Sequence, residues 1–203
     1  AIYAQSLATG RKEARLDRFP QDMQPLVTRL IHSCGMVEIA DRLAFSPSVY
    51  SVGHAALQSG KPILCDCEMV GAGIIRRYLP ARNEVIVTLN DPRTPELAQE
   101  IGNTRSAAAV RLWEPQIEGA VVAVGNAPTA LFHLLELIDE GFPKPAVILG
   151  FPVGFIGAAE SKAELAANSR GIDFVALKGR KGGSAMASAA VNALAAGLPE
   201  ERT

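Results

Sequence analysis

Five short aliphatic runs, each trailed by a stretch of helical periodicity, constrain this chain more than any other feature. The runs are Ile63–Cys67, Val85–Leu89, Val121–Val124, Ala146–Leu149 and Phe174–Leu177. Each is apolar at successive positions, so both faces must be covered, as in a parallel sheet held between helices. Helical patterns follow at about Met69–Tyr78, Pro95–Gly102, Pro128–Glu140, Ala159–Asn168 and Ser184–Ala196. Thr94-Pro95 reads as an N-cap with proline in the first helical position.

Strand–helix units in succession imply right-handed crossovers and a three-layer α/β/α architecture. A five-stranded parallel, flavodoxin-like sheet is the economical arrangement. The first 60 residues differ. They read as helical without strand signals, with Met23, Leu26, Val27, Leu30 and Ile31 striping one helix. Ser46-Pro47 opens another, which ends near Gly60. The expectation is one domain over residues 1–203: a helical N-terminal segment (1–60) and a doubly wound α/β core (61–203), the segment packing on that core or on a second copy of it.

Charge excludes one class of partner. Twenty Lys+Arg against 21 Asp+Glu leave −1, which gives nucleic acid no basic footprint. One Trp, three Tyr and seven Phe leave an aliphatic core and few platforms for stacking bases. Three cysteines form no disulfide framework and suggest a reducing compartment. No apolar run approaches the roughly 20 residues of a membrane span. Residues 1–15 lack the basic-then-apolar order of a secretory signal. A cytoplasmic protein that does not enter membranes is expected.

Ligands of open α/β sheets bind beyond the carboxyl ends of the strands, where helix N-termini present unpaired N–H groups. Those positions here are Asp66-Cys67-Glu68, Asn90–Arg93, Gly125–Thr129, Gly150–Gly157 and Lys178–Ser184, joined by the turn Gly102–Ser106. Several are glycine-rich with a hydroxyl or amide at the helix start, and two carry cationic side chains. They could hold several anionic groups over a wide mouth; alternatively they are simply the short turns such folds need. Neither G-x-x-x-x-G-K-[ST] nor G-x-G-x-x-G is present, so carboxylates are at least as plausible a target as a nucleotide.

His32 is the strongest candidate for proton chemistry. At about 100° per residue it points nearly opposite the apolar stripe of its helix. It lies in the last turn, before Gly35, where the negative helix end favours imidazolium. A solvated histidine finishing a helix fits the same position. His54 and His133 carry no neighbouring signature, and Trp113 reads as core. Cys65 and Cys67 share a strand face and read as buried thiols rather than zinc ligands. Glu160-Ser161-Lys162 opens a helix, with Lys162 either salt-linked in the first turn or holding substrate.

Several motifs, in their order, resemble the precorrin-8X methylmutase (precorrin isomerase) family of corrin biosynthesis. They are Ile31–Gly35 (I-H-S-C-G), Phe45–Pro47, Asp91–Pro95 (D-P-R-T-P) and Gly102–Ala108 (G-N-T-R-S-A-A). Further along are Gly125–Ala130 (G-N-A-P-T-A), Gly150–Phe155 (G-F-P-V-G-F), Ala159–Lys162 (A-E-S-K) and Gly179–Met186 (G-R-K-G-G-S-A-M). The similarity spans nearly the whole chain.

The resemblance implies a homodimer with a flavodoxin-like sheet and an active site near the subunit boundary. It implies migration of a methyl group from C-11 to C-12 of the macrocycle, converting precorrin-8X to hydrogenobyrinate without metal or organic cofactor. The catalytic histidine matches His32, and the substrate-contacting serine matches Ser6, with Tyr3 beside it. Arg105 of the G-N-T-R-S turn matches the arginine expected to grip a carboxylate. Thr104, Asn126, Thr129, Lys162 and Arg180, on the other matching loops, complete the expected substrate-binding set. Ile75 stands where the family often has a polar residue, so no contact is carried over there. The matches at Leu64–Asp66 and Asn103–Arg105 lean toward the metal-free branch.

Two other classes fit part of the pattern. A receiver-like signalling domain would use Asp66, Glu68 and Lys178, but needs a phosphoacceptor aspartate after the third strand, where Gly125-Asn126 stands. A flavin carrier would need aromatic side chains near loops that have few.

Overall fold

A computed structural model describes residues 2–196, the side chain of Tyr3 excepted. Six strands form one mixed sheet: β1 (Leu43–Phe45), β2 (Ile63–Cys65), β3 (Val85–Val87), β4 (Val121–Val124), β5 (Val147–Gly150) and β6 (Asp173–Leu177). Their spatial order is β1-β6-β5-β4-β2-β3. All neighbours pair in parallel except β1, which runs antiparallel to β6 with Leu43 opposite Leu177. Counted from Ile63, the parallel strands therefore lie in the 2-1-3-4-5 order of a doubly wound sheet.

The edge strand β1 corrects two expectations, the purely parallel five-stranded sheet and the strand-free N-terminal segment. Three residues are too few to show a period in sequence. Backbone pairing makes the strand: Ser46 N–H donates to the Phe174 carbonyl at 2.9 Å, and Lys178 N–H to that of Arg42 at 3.0 Å. Arg18 adds a side-chain donor to the Leu43 carbonyl.

The helices are α1 (Ile2–Glu13), α2 (Gln24–Cys34), α3 (Val49–Gln58), α4 (Glu68–Gly73), α5 (Thr94–Glu100), α6 (Arg105–Arg111), α7 (Pro128–Asp139), α8 (Ala158–Ala167) and α9 (Ser184–Ala196). Period-two alternation sorts the strand side chains into two cores. Ile63, Cys65, Val121, Ala123, Leu149 and Val175 face α2, α3, α4 and α9. Leu64, Val122, Val124, Ile148 and Ala176 face α6, α7 and α8.

Helix α9 is the centre of the first layer. Ten of its 13 residues are buried, which is why its sequence is apolar on every side. Its alanines combine high helix propensity with a small cross-section, letting α2, α3 and α4 all pack against it. In α2, Leu26 and Leu30 are fully buried, so truncating either to alanine costs about 2–5 kcal/mol.

Two local expectations change. The pattern over Met69–Tyr78 splits into α4 and a 3₁₀ turn at Arg76–Tyr78, because Gly71, Gly73 and the β-branched pair Ile74-Ile75 disfavour a continuous helix. Thr94 does not cap α5. It begins the helix, fully buried, and its hydroxyl donates to the Thr88 carbonyl at 2.7 Å. Among the described residues no helix is long and apolar enough to cross a membrane.

Candidate active site

Helix α2 ends at the carboxyl edge of the sheet. Gly35 takes φ +72°, and its N–H closes the helix on the Ile31 carbonyl at 2.7 Å, a left-handed stop that suits glycine. His32 sits in that last turn and is exposed. Ser6 of α1 approaches it, with Oγ 2.9 Å from Nδ1. Helix α1 packs along α2, which brings Ser6 beside His32.

His32 opens onto a cleft of roughly 460 Å³ between α2, α4 and the first half of α9. Arg29 and Ser33 share the α2 wall with it; Met69, Gly73 and Ile75 form a second wall, and Ser184, Ala185, Ser188, Ala189 and Asn192 a third. Asn192 fastens two walls together. Its Oδ1 accepts from Ile75 N–H at 2.8 Å and its Nδ2 donates to the Gly73 carbonyl at 3.0 Å. The N-terminus of α9 comes so close to the end of β4 that a Cβ on Gly125 would stand 2.7 Å from Ser184 Cα and 2.6 Å from a Val70 methyl.

Asp66, just past β2, organises the next loop. Its carboxylate, 2% exposed, accepts from Gly125 N–H at 2.8 Å, Asn126 N–H at 2.9 Å and Ala127 N–H at 2.8 Å. Burial pushes the Asp66 carboxyl up, and the three amide donors work against that rise. The anion-binding reading of this turn is thereby narrowed: the protein's own carboxylate already holds the amides of residues 125–127.

Beyond α4 lies a second polar cluster. The Arg105 guanidinium donates to the Leu89 carbonyl at 3.2 Å and Asn90 Oδ1 at 3.1 Å, while Asn90 Nδ2 donates to Glu68 at 3.3 Å. Thr104 caps α6, accepting from Ala107 N–H at 3.1 Å, and its hydroxyl meets that of Thr129 at 2.7 Å. Asp91, gripped by the Arg93 guanidinium, has its carboxyl pulled down to about 2.

The expected residues thus form two groups rather than one. Ser6 joins His32; Thr104 joins Thr129, with Arg105 at the start of the same helix α6. Arg180 is exposed, its guanidinium 5.4 Å from the Phe155 ring centroid. Lys162 departs from both readings offered for it: it is fully buried, forms no ion pair among the described residues, and donates to the Lys181 carbonyl at 2.6 Å beneath the 178–183 loop. Burial lowers its ammonium to about 8. Tyr3 belongs to α1, but its side chain lies outside the described residues.

The cysteines and remaining histidines are structural. Cys65 and Cys67 are buried, Cys67 preceding α4 with its Sγ 3.4 Å from Ser184 Oγ, and burial pushes the Cys65 thiol up. His54 Nδ1 meets the Leu194 carbonyl at 2.6 Å. His133 lies between Arg111 and Glu136. Trp113 is core, as expected.

Residues 1–196 match the family profile described as precorrin-8X methylmutase. The chain belongs to that family. The precorrin-8X methylmutase of Pseudomonas aeruginosa is 60% identical over 195 residues, covering 96% of this chain and 94% of the relative. The cobalt-precorrin-8 methylmutase of Priestia megaterium is 37% identical over 177 residues, covering 87% and 78%. A crystal structure of precorrin-8x methyl mutase from Thermus thermophilus superposes with a TM-score of 0.86 at 35% identity, covering 96% of this chain and 93% of that one. As a member of the methylmutase family the chain is an isomerase.

Two residues of this methylmutase, Arg29 and Asn192, escaped the sequence reading, and a third, Asp66, was placed at the carboxyl edge without its role. Arg29 stands three positions before His32, so helical spacing puts both on one face, and that spacing could have revealed it. Asn192 is the polar interruption of an alanine-rich run. Asp66 ends an aliphatic run, a position that signals proximity to the carboxyl edge but not what the carboxylate holds.

Proposed function

We propose that this methylmutase serves cobalamin biosynthesis by moving the methyl group of precorrin-8X from C-11 to C-12, giving hydrogenobyrinate, with His32 as proton donor and acceptor. The observation that carries this reading is the Ser6–His32 pair at the mouth of the cleft. A suprafacial [1,5]-shift requires neither a nucleophile nor a metal; it requires the tautomer from which the methyl can migrate. His32 protonates the conjugated system, the methyl moves, and the imidazole recovers the proton, so no atom is gained or lost. The Ser6 hydroxyl can donate to Nδ1 of the neutral ring and accept from Nδ1–H of the imidazolium, so one contact orients the ring through both halves of the cycle.

The cleft, at roughly 460 Å³, admits part of a corrinoid disc. Its rim beyond the cleft is served by Arg105, Thr104, Thr129 and Asn126, with Arg180 on the next loop, which suits a ring edged with carboxylates. Lys162 acts from below, holding the 178–183 loop rather than touching the ring. Greater identity to the relative named for precorrin-8X than to the one named for cobalt-precorrin-8 supports a metal-free substrate.

We also read the enzyme as a cytoplasmic homodimer. Three free thiols suit a reducing compartment. Val153, Phe155 and Ile156 leave an apolar loop exposed at the carboxyl edge, where a second subunit would cover it. Adding purified protein to precorrin-8X and following the absorbance change of rearrangement tests the activity, with the cobalt-bearing substrate as comparison. An unchanged spectrum with both would contradict the reading.

A further inference from the structure

We propose that Arg29 is an anion subsite of the cleft, taking one peripheral carboxylate of the ligand a helical turn from His32; this rests on the corrinoid reading above. Arg29 is 8% exposed and lines the cleft. Among the described residues its guanidinium has no hydrogen-bond or ion-pair partner, and it lies over the Tyr78 ring, 5.6 Å from the guanidinium carbon to the centroid. A ring face offers the five N–H donors no lone-pair acceptor.

A buried cation without a counter-charge is costly, and an arriving anion relieves that cost. Nothing else in the cleft fills that role. No carboxylate lines it. Its neutral polar side chains are engaged within the fold: the Ser33 hydroxyl donates to the Leu30 carbonyl, that of Ser188 to Ala185, that of Ser184 lies 3.4 Å from Cys67 Sγ, and Asn192 is used at both ends. The remaining lining is largely apolar, with Met69, Ile75 and Ala189, which strengthens any charge–charge contact made there. A ligand carboxylate seated on Arg29 would fix the ring edge relative to the imidazole, since residues three apart on a helix have Cβ atoms about 5–6 Å apart.

The test compares wild-type protein with Arg29→Gln and Arg29→Met, using hydrogenobyrinate and an analogue whose carboxylates are amides, followed by absorbance titration, together with thermal unfolding of the ligand-free proteins. Wild type is expected to bind hydrogenobyrinate at least tenfold more tightly than either variant, and to discriminate against the amide more strongly than either variant does. Arg29→Met is expected to unfold at a higher temperature than wild type, because it removes an uncompensated buried charge. A purely structural arginine would give the opposite sign. Equal affinity of wild type and Arg29→Gln for hydrogenobyrinate, in proteins that remain folded, would overturn the subsite alone. Failure of wild type to bind hydrogenobyrinate would overturn the corrinoid reading and the subsite with it.

Discussion

Ser6 Oγ lies 2.9 Å from Nδ1 of His32, tying the first helix of the chain to the last turn of the second. The hydroxyl can follow the ring through a change of protonation, since it donates or accepts by rotating about its own C–O bond. Replacing it removes orientation rather than chemistry. Ser6→Ala is expected to lower turnover about fivefold to tenfold, the equivalent of roughly 1 kcal/mol. Single-turnover absorbance kinetics check this; an unchanged rate would separate the pair from the reaction.

Asp66 accounts for the shape of the Gly125–Ala127 turn, because three successive amides converge on one carboxylate. Asp66→Asn keeps the volume but turns an NH₂ group toward N–H donors. The expected outcome is a loss of about 1–3 kcal/mol in stability, with faster hydrogen exchange at residues 125–127 than elsewhere in the sheet. Exchange that stays slow at those amides would show that the turn holds itself.

Lys162 gives the fold a definite pH signature. It titrates at about 8 when folded, against 10.5 for an ordinary lysine. The folded chain thus binds this proton less tightly than the unfolded one. Stability from this group is present in full above 10.5 and is lost as pH falls to and through 8. Denaturant titrations across that window are expected to show wild type gaining on Lys162→Met as pH rises. Parallel curves would mean that the ammonium is compensated where it lies.

How much of this was legible in the sequence follows from physics. The aliphatic runs led to the parallel strands because covered strands cannot hide their apolarity, and α9 was legible as a helical pattern over Ser184–Ala196. Strand β1 left no mark, since three residues carry no period and its pairing is made by backbone groups. His32 was legible from its angle against the stripe and from Gly35, but its partner Ser6, 26 positions away, was supplied by family resemblance rather than by local pattern. Lys162 misled because a lysine at a helix start usually reaches solvent, and nothing nearby announces that a later loop will cover it. The role of Asp66 stayed hidden for a related reason: its three donors come from a turn about 60 positions on.

Removing the imidazole tests the central claim most directly. His32→Ala, mixed with precorrin-8X and followed by absorbance, is expected to bind hydrogenobyrinate within a few-fold of wild type while turnover falls by at least about a hundredfold, the usual scale for loss of a general acid–base group. A His32→Ala enzyme that rearranges precorrin-8X at a rate close to wild type would contradict the account.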